Sequence, residues 1–434
     1  MEMEYEKAMD WIHSREKFKV KPGLKRMEWM MKRLGHPEKK FRSVHIAGTN
    51  GKGSTLSFLR HILQQQGMSV GTFTSPYIER FNERISVDGQ PIHDEVLAEL
   101  VIRIKPLSEE LRQTTLGEPT EFEIITAMAM LYFSEAALDL VLIETGLGGR
   151  YDSTNILTPV LSLITNIGHD HMNVLGSTIG EIAEEKAGII KPEIPVVTGV
   201  KQEEAVKVVT QKARSCHSRV FRLGHDFEAI HQSSNDEGES FVFSNATFHS
   251  ETYVSQMKGP HQVENAALAI QSAEVLRSLG VRIDRSLYGK GIASTRWPAR
   301  FEKVKDAPLT IIDGAHNEEG TSALVETVKR HHVGKKIVLV YSALEDKPVK
   351  KMLKQLQSVV DTAYMTTFDF PRALKGRELA EYSEITETKA VEDYVQAIRE
   401  ASSNVGEDGV LLITGSLYFI SKVRKYFESK ENSW

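Results

Sequence analysis

Short, continuous apolar runs that alternate with stretches of helical periodicity most narrowly limit how this chain can fold. SVHIAG (from Ser43), MSVGTFT (from Met68), LDLVLIET (from Leu138), PVLSLIT (from Pro159) and IPVVTGV (from Ile194) are mostly apolar, with no strict alternation. That is the pattern of strands buried on both faces. Helical stretches lie between them: STLSFLRHILQQQ stops at Gly67, and EFEIITAMAMLYF opens on a Thr120–Glu123 capping box. Buried strands alternating with helices predict an α/β fold with a mainly parallel, doubly wound sheet. From about Arg219 to Met257 the chain turns polar and then alternates, as hairpins do; this segment reads as antiparallel strands added to the first domain. A second α/β series follows RWPARFE, in LTIIDGAHN, KIVLVYSAL, VVDTAYMT and VLLITGSLYF. The boundary is placed in the linker-like stretch Arg296–Phe301, giving domains 1–297 and 298–434.

Composition narrows the function classes. With 54 Lys and Arg against 59 Asp and Glu, the net charge is −5, which argues against a surface built wholly for nucleic acid. A chain that is 41% hydrophobic and 26% charged is globular rather than disordered or fibrous. The single cysteine, Cys216, excludes an intrachain disulfide and a Cys-rich zinc site, as expected in a reducing compartment. The opening MEMEYEKAMDWIHSR is too charged for a signal peptide, and no apolar run approaches the ~20 residues of a membrane helix. A cytoplasmic location is expected. No apolar stripe marks a partner surface, so a monomer is expected too.

The sharpest local signal is HIAGTNGKGST, from His45 to Thr55. It leaves a strand and opens a helix. Gly48, Gly51 and Gly53 let backbone N–H groups converge on an anion, the helix N-terminus adds its dipole, and Lys52 supplies a point charge for phosphates. The general nucleotide-loop pattern wants Ser or Thr directly after Gly-Lys, and here Gly53 intervenes.

Later strand ends carry oxygen and nitrogen ligands: Ser75 in TFTSPYIERFNERI, Glu144 in LIETGLGGRYDSTN, and His169, Asp170 and His171 in ITNIGHDHMNVLG. Ligands of open α/β sheets gather beyond the carboxyl ends of strands, so these segments should meet the glycine loop. A carboxylate, a hydroxyl and an imidazole beside phosphates suit Mg²⁺. Each residue taken singly also has an ordinary use, as salt-bridge partner, turn residue or loop histidine.

Lys186 is unexpected. TIGEIAEEKAGII opens on a Thr178–Glu181 capping box, and its apolar face runs Ile179, Ile182, Lys186, Ile189, Ile190. A buried ammonium needs a carboxylate partner or a lowered pKa. Periodicity alone favours a salt bridge, although a neutral lysine can also take up CO₂ as a carbamate. In the second half, Asn265 near a helix start, Arg300 in WPARFE and Asp313, His316 and Asn317 in IIDGAHN could close over a nucleotide, or simply cap helices.

In order along the chain, GTNGKGS, TSPY…ERI, E-x-GLGGR-x-D-x-TN, ITNIG-x-DH…LG, EKAGI, G-x-HQ-x-x-NA, WP-x-RFE and DGAHN resemble the folylpolyglutamate synthase and dihydrofolate synthase family of ATP-dependent Mur-type ligases. The resemblance covers almost the whole chain, and the family's own phosphate loop reads GTNGKGS. It implies an N-terminal P-loop-type ATPase domain and a smaller, Rossmann-like C-terminal ligase domain. Thr49, Asn50, Gly51, Lys52, Gly53 and Ser54 would form the ATP phosphate loop. Ser75, Glu144 and His171 would bind Mg²⁺, and Lys186 would carry a carbamate. Asn265, Arg300 and Asp313 would be nucleotide contacts. Thr120, Glu121 and Phe122, with Asp152, would form the pterin region. Many members read Ser-Pro-His-Leu where this chain has Ser75, Pro76, Tyr77, Ile78, which alters the loop near the pterin.

The implied reaction joins L-glutamate to folate or dihydropteroate through an acyl phosphate. Lys52, Lys186 and His171 are the expected catalytic group. An acceptor tail rich in carboxylates needs cations, and Arg80 and Arg84 are placed for it by sequence position. Two other readings are a cell-wall precursor ligase of the same superfamily and a nucleotide-binding regulatory module without turnover. TSPY…ERI and the pterin pattern argue against the first. Lys52, Glu144, His171 and Lys186 occurring together argue against the second.

Overall fold

A computed structural model describes residues 4–15 and 23–431. The first three residues of the charged N-terminal stretch lie outside them. The chain forms two compact units: Met1–Ala229 with Phe243–Ser250 and Glu264–Ser294, and Ile230–Val242 with Glu251–Val263 and Thr295–Trp434. The main break therefore falls at Ser294/Thr295, three residues before the expected one. Parts of the added strands group with the second unit rather than the first.

The first unit is built on an eight-stranded sheet. Its strands are β1 (Ser43–Ala47), β2 (Val70–Phe73), β3 (Ile85–Val87), β4 (Gln90–Pro91), β5 (Leu140–Glu144), β6 (Leu161–Ile164), β7 (Val196–Thr198) and β8 (Val220–Arg222). The order is β4-β3-β2-β5-β1-β6-β7-β8, parallel from β2 to β8, with β3 and β4 antiparallel at one edge. All residues of β1, β2, β5, β6 and β7 are buried. Helices cover both faces, which is why these strands read as unbroken apolar runs.

Three helices matter for the site: α1 (Lys52–Gln65), α2 (Glu121–Glu135) and α3 (Ile179–Ala187). Both predicted capping boxes form. Thr120 and Glu123 cap α2, and Thr178 and Glu181 cap α3. Chain order places β5 on one side of β1 and β6 on the other, so the sheet reverses direction at β1. A crevice opens at the carboxyl ends of strands at such a switch point, here at the ends of β5, β1 and β6.

Strands β9 (Phe227–Asn235), β10 (Gly238–Asn245) and β11 (Phe248–Ser255) form a three-stranded sheet, as the alternating segment predicts. Helix α4 (Pro260–Ser278) follows. In the second unit β12 (Glu302–Asp306), β13 (Leu309–Ile312), β14 (Ile337–Tyr341), β15 (Thr362–Thr367), β16 (Glu387–Asp393) and β17 (Val410–Thr414) make a sheet of order β12-β13-β17-β14-β15-β16. Only β12 runs antiparallel. This is the expected Rossmann-like α/β layer, with α5 (Glu318–His331) following β13. Among the described residues no helix is long and apolar enough to cross a membrane.

Candidate active site

The phosphate loop leaves β1 and is stitched to the end of β6. Asn50 N donates to Asn166 Oδ1 at 2.9 Å, Thr165 Oγ1 donates to Asn50 O at 2.6 Å, and Gly168 N donates to Thr49 Oγ1 at 2.9 Å. Gly48 has φ +153°, and a Cβ there would lie 1.9 Å from Thr165 Oγ1. Gly51 has φ +81° and precedes α1; a Cβ there would lie 2.4 Å from Asn265 Oδ1. The loop can pass under Thr165 and Asn265 only because both positions lack side chains. The first helical hydrogen bond runs from Thr55 N to Gly51 O at 2.8 Å, so the amides of Lys52, Gly53 and Ser54 point along the helix axis without intrahelical acceptors. Three amides and a helix dipole converge there, an anion site by construction. Asn265, from the second turn of α4, also accepts from Thr55 Oγ1 at 3.3 Å.

Lys52 folds back over its own loop. Its Nζ donates to Gly48 O at 3.1 Å and Thr49 O at 3.4 Å, and stands 3.9 Å from Glu144 Oε1. Glu144 ends β5, is only 5% exposed, and accepts from Ser75 N at 3.2 Å through Oε2. Two of the three expected metal ligands thus meet. His171 follows the carboxyl end of β6 with φ +51°; its half-exposed ring lies 3.8 Å from Asp170 Oδ2. Among the described residues no three His, Cys, Asp or Glu side chains cluster as a metal site, and the expected set contains only two such residues. A buried carboxylate beside a serine, next to an anion-binding helix end, is nonetheless a donor set that suits a hard, oxygen-seeking cation.

Lys186 lies on the buried face of α3, as its periodicity predicts, and is 4% exposed. The salt bridge that periodicity favoured is absent. Its Nζ donates to Gly48 O at 2.9 Å and pairs with no carboxylate among the described residues. The helix turns this face toward the backbone of the phosphate loop, while Glu184 and Glu185 lie 3.6 Å from Arg150. Burial first, and then the Lys52 charge, push the Lys186 pKa down to about 7 against the opposing pull of Asp170 and Asp152.

Of the expected pterin residues, Phe122 and Asp152 border the Gly146–Leu147 turn. A Cβ on Gly146 would lie 2.5 Å from the Phe122 ring, whose centroid is 5.9 Å from that of Phe73. Thr120 is occupied as the cap of α2, and Glu121 faces His13 Nδ1 at 3.2 Å. Asp152 accepts from Leu147 N at 2.8 Å and Thr154 N at 3.0 Å, so it shapes the same turn. Burial raises its pKa, opposed by the Thr154 hydroxyl and backbone donors. Arg84 lies over Tyr77 and Phe81, at 5.2 and 5.5 Å. Arg80 is taken up by Asp94, with both contacts from Nη2, at 2.8 and 3.1 Å. Sequence reasoning missed His45, Thr154, Thr165 and Asn166. A lone histidine inside a fully buried strand was the available signal for the first.

In the second unit Asp313 is 9% exposed and accepts from Phe301 N and Ala315 N, both at 2.8 Å. Burial raises its pKa and the Arg300 charge opposes the rise. It braces a turn in which Ala299 and Phe301 both have positive φ. It is not the cap of the next helix; Asn317 is, accepting from Gly320 N at 2.8 Å.

Two families match in tandem: the Mur ligase middle domain over residues 46–273 and the Mur ligase glutamate ligase domain over residues 299–417. The dihydrofolate synthase/folylpolyglutamate synthase of Bacillus subtilis is 50% identical over 424 residues, spanning 97% of this chain and 98% of its own. The Mycobacterium tuberculosis folylpolyglutamate synthase solved with ADP superposes with a TM-score of 0.92 at 30% identity, covering 98% of both chains. A folylpolyglutamate synthase holding AMPPCP and folate superposes at 0.86 with 34% identity, over 98% of this chain and 99% of that one.

Proposed function

The chain belongs to the folylpolyglutamate synthase/dihydrofolate synthase family of Mur-type ligases, and on that premise we propose that it adds L-glutamate to folates and to dihydropteroate at the expense of ATP. One observation carries this reading: Lys52 and Lys186 both donate to the Gly48 carbonyl, and Lys52 also faces the buried Glu144. Cationic and anionic groups are held together at the mouth of a helix whose amides await phosphate. Pure nucleotide binding does not call for that set.

A carboxylate resists attack by an amine because it already carries negative charge and lacks a leaving group. An oxygen of the acceptor carboxylate therefore attacks the γ-phosphorus of ATP, the bond to the β–γ bridging oxygen breaks, and ADP departs. The amine of L-glutamate then attacks the acyl carbon and loses a proton, and the C–O bond to phosphate breaks, leaving an amide. The amides of Lys52, Gly53 and Ser54 orient the phosphates. Lys52 neutralises charge on the moving phosphoryl group, a task of positioning and electrostatics. Ser75, Glu144 and His171 would hold Mg²⁺, which when bound offsets phosphate charge. Lys186, with its pKa near 7, has a neutral amine available to add CO₂. One N–C bond would form, one proton would leave, and an anionic carbamate would result. Asn265, Arg300 and Asp313 are proposed nucleotide contacts. Thr120, Glu121, Phe122 and Asp152 are proposed to hold the pterin, and Arg84 the acceptor tail. A monomer in the cytoplasm, where the buried Cys216 stays a free thiol, completes the reading.

ADP release with dihydropteroate, tetrahydrofolate or a muramyl precursor, each with and without L-glutamate, tests it. Glutamate-dependent turnover with the two pterins and none with the muramyl compound is expected. Turnover only with the last would replace the reading.

A further inference from the structure

Asp152 is held by a chain of hydrogen bonds that begins on the central strand of the sheet. His45, in the middle of β1, is 0% exposed, and its Nε2 lies 2.8 Å from Thr154 Oγ1. Thr154 Oγ1 in turn donates to Asp152 Oδ1. The direction of the chain follows from its far end. Burial raises the Asp152 pKa, but its oxygens accept from the backbone amides of Leu147 and Thr154 as well as from the Thr154 hydroxyl, a set of donors that suits a carboxylate acting as acceptor only. The hydroxyl proton of Thr154 must then point at Asp152. The hydroxyl oxygen is left to accept, so His45 carries its proton on Nε2. Its Nδ1 becomes a bare lone pair, and that atom is buried with no hydrogen-bond partner among the described residues. Burial and the charge of Lys191 depress the His45 pKa to about 3, which keeps this tautomer neutral.

A ring nitrogen left unmet inside a sheet carries a cost that an apolar side chain in the same place would not. The orphaned edge is accounted for if the opposite edge has work to do. Asp152 Oδ2 ties down Leu147, and the adjoining Gly146 packs against Phe122. The chain from His45 therefore reaches both the carboxylate and the turn that flank the proposed pterin region.

We propose that His45 and Thr154 are positioning residues for the pterin substrate, fixing the Asp152 carboxylate and the Gly146–Leu147 turn through one directed hydrogen-bond chain. This rests on the reading of Asp152 as a pterin contact. Thr154→Val keeps the shape and removes the hydroxyl, and Thr154→Ser restores it. His45→Leu removes the donor, and His45→Gln offers an amide donor in its place.

The test is steady-state kinetics of the full chain, with KM for dihydropteroate and for ATP measured in parallel. Thr154→Val and His45→Leu should raise KM for dihydropteroate on the order of ten-fold, the size of one charge-assisted hydrogen bond, and leave KM for ATP unchanged. The serine and glutamine variants should recover most of that loss. If Thr154→Val does not fold, the His45 pair decides alone. A parent-like KM for dihydropteroate in the valine and leucine variants would overturn the proposal. An equal rise in both KM values would also overturn it, by showing a general packing role. Asp152→Asn separates the two layers. If that variant keeps the parent's KM for dihydropteroate, the pterin reading of Asp152 has failed and the proposal falls with it. If Asp152→Asn is impaired and Thr154→Val is not, the positioning chain alone is wrong.

Discussion

At the scale of single residues, Lys186 separates what a sequence can show from what only contacts can. Helical spacing places it on a buried face. Its partner depends on a backbone oxygen from a loop 138 residues away in sequence, which no local pattern reveals. The result is a lysine with a pKa near 7 rather than an ion pair. Lys186→Ala should lose activity by orders of magnitude and regain part of it with added acetate, while stripping CO₂ from the parent at mildly acidic pH should lower activity until bicarbonate is supplied. Carbon-13 NMR showing an unmodified amine in active enzyme would remove the carbamate from the account. Gly48 offers a second test. Gly48→Ala would drive a methyl group to 1.9 Å from Thr165 Oγ1 and spread the loop from β6. KM for ATP should rise at least ten-fold with the fold retained; a parent-like value would mean the loop geometry is not what binds phosphate.

At the scale of elements, the interior strands were legible because helices bury both of their faces and leave no alternation to confuse. Edge strands were not. The burial of β16 mixes exposed and intermediate residues throughout, and β12 carries four charged positions among five, so neither shows an apolar signal. Helix starts were legible where a side chain closes the first turn, as with Thr120 and Thr178. Thr120→Ala should cost about 1 kcal/mol in denaturant unfolding, the usual value of a cap, and should also loosen the start of the proposed pterin region. An unchanged midpoint would show that the capping box contributes nothing here. The convergence of Ser75, Glu144 and the phosphate loop followed from topology, since all lie at carboxyl ends of neighbouring strands. The His45–Thr154–Asp152 chain did not, because its links are 109 and 2 residues apart and its direction depends on hydrogen-bond geometry.

For the whole molecule, buried histidines set the response to acid. His45 is held near pKa 3, and His332, which has no partner for either ring nitrogen among the described residues and stacks on Phe301, near 4; in both, burial is the leading cause. The unfolded chain takes up protons at these sites from about pH 6.5 downward and the folded chain does not, so stability falls as pH drops through that window. Each such histidine contributes up to about 1.4 kcal/mol per pH unit. Glu239 acts in a lower range. Burial would raise its pKa, but donors from His331, Ser234, Gly259 and His231 hold it near 2, so its contribution is lost only below about pH 4.5. Chemical denaturation across pH 4–8 should show stability declining from about pH 6.5; a flat profile down to pH 5 would contradict the neutral, buried state of these rings. The proposed reaction activates a carboxylate by phosphorylation and then joins it to glutamate. It is tested most directly with dihydropteroate labelled with ¹⁸O in its carboxylate, by mass spectrometry of the phosphate and the pterin product. An amide product one glutamate heavier and one ¹⁸O atom in the phosphate released at each turnover are expected; product accompanied by unlabelled phosphate would rule out the acyl phosphate.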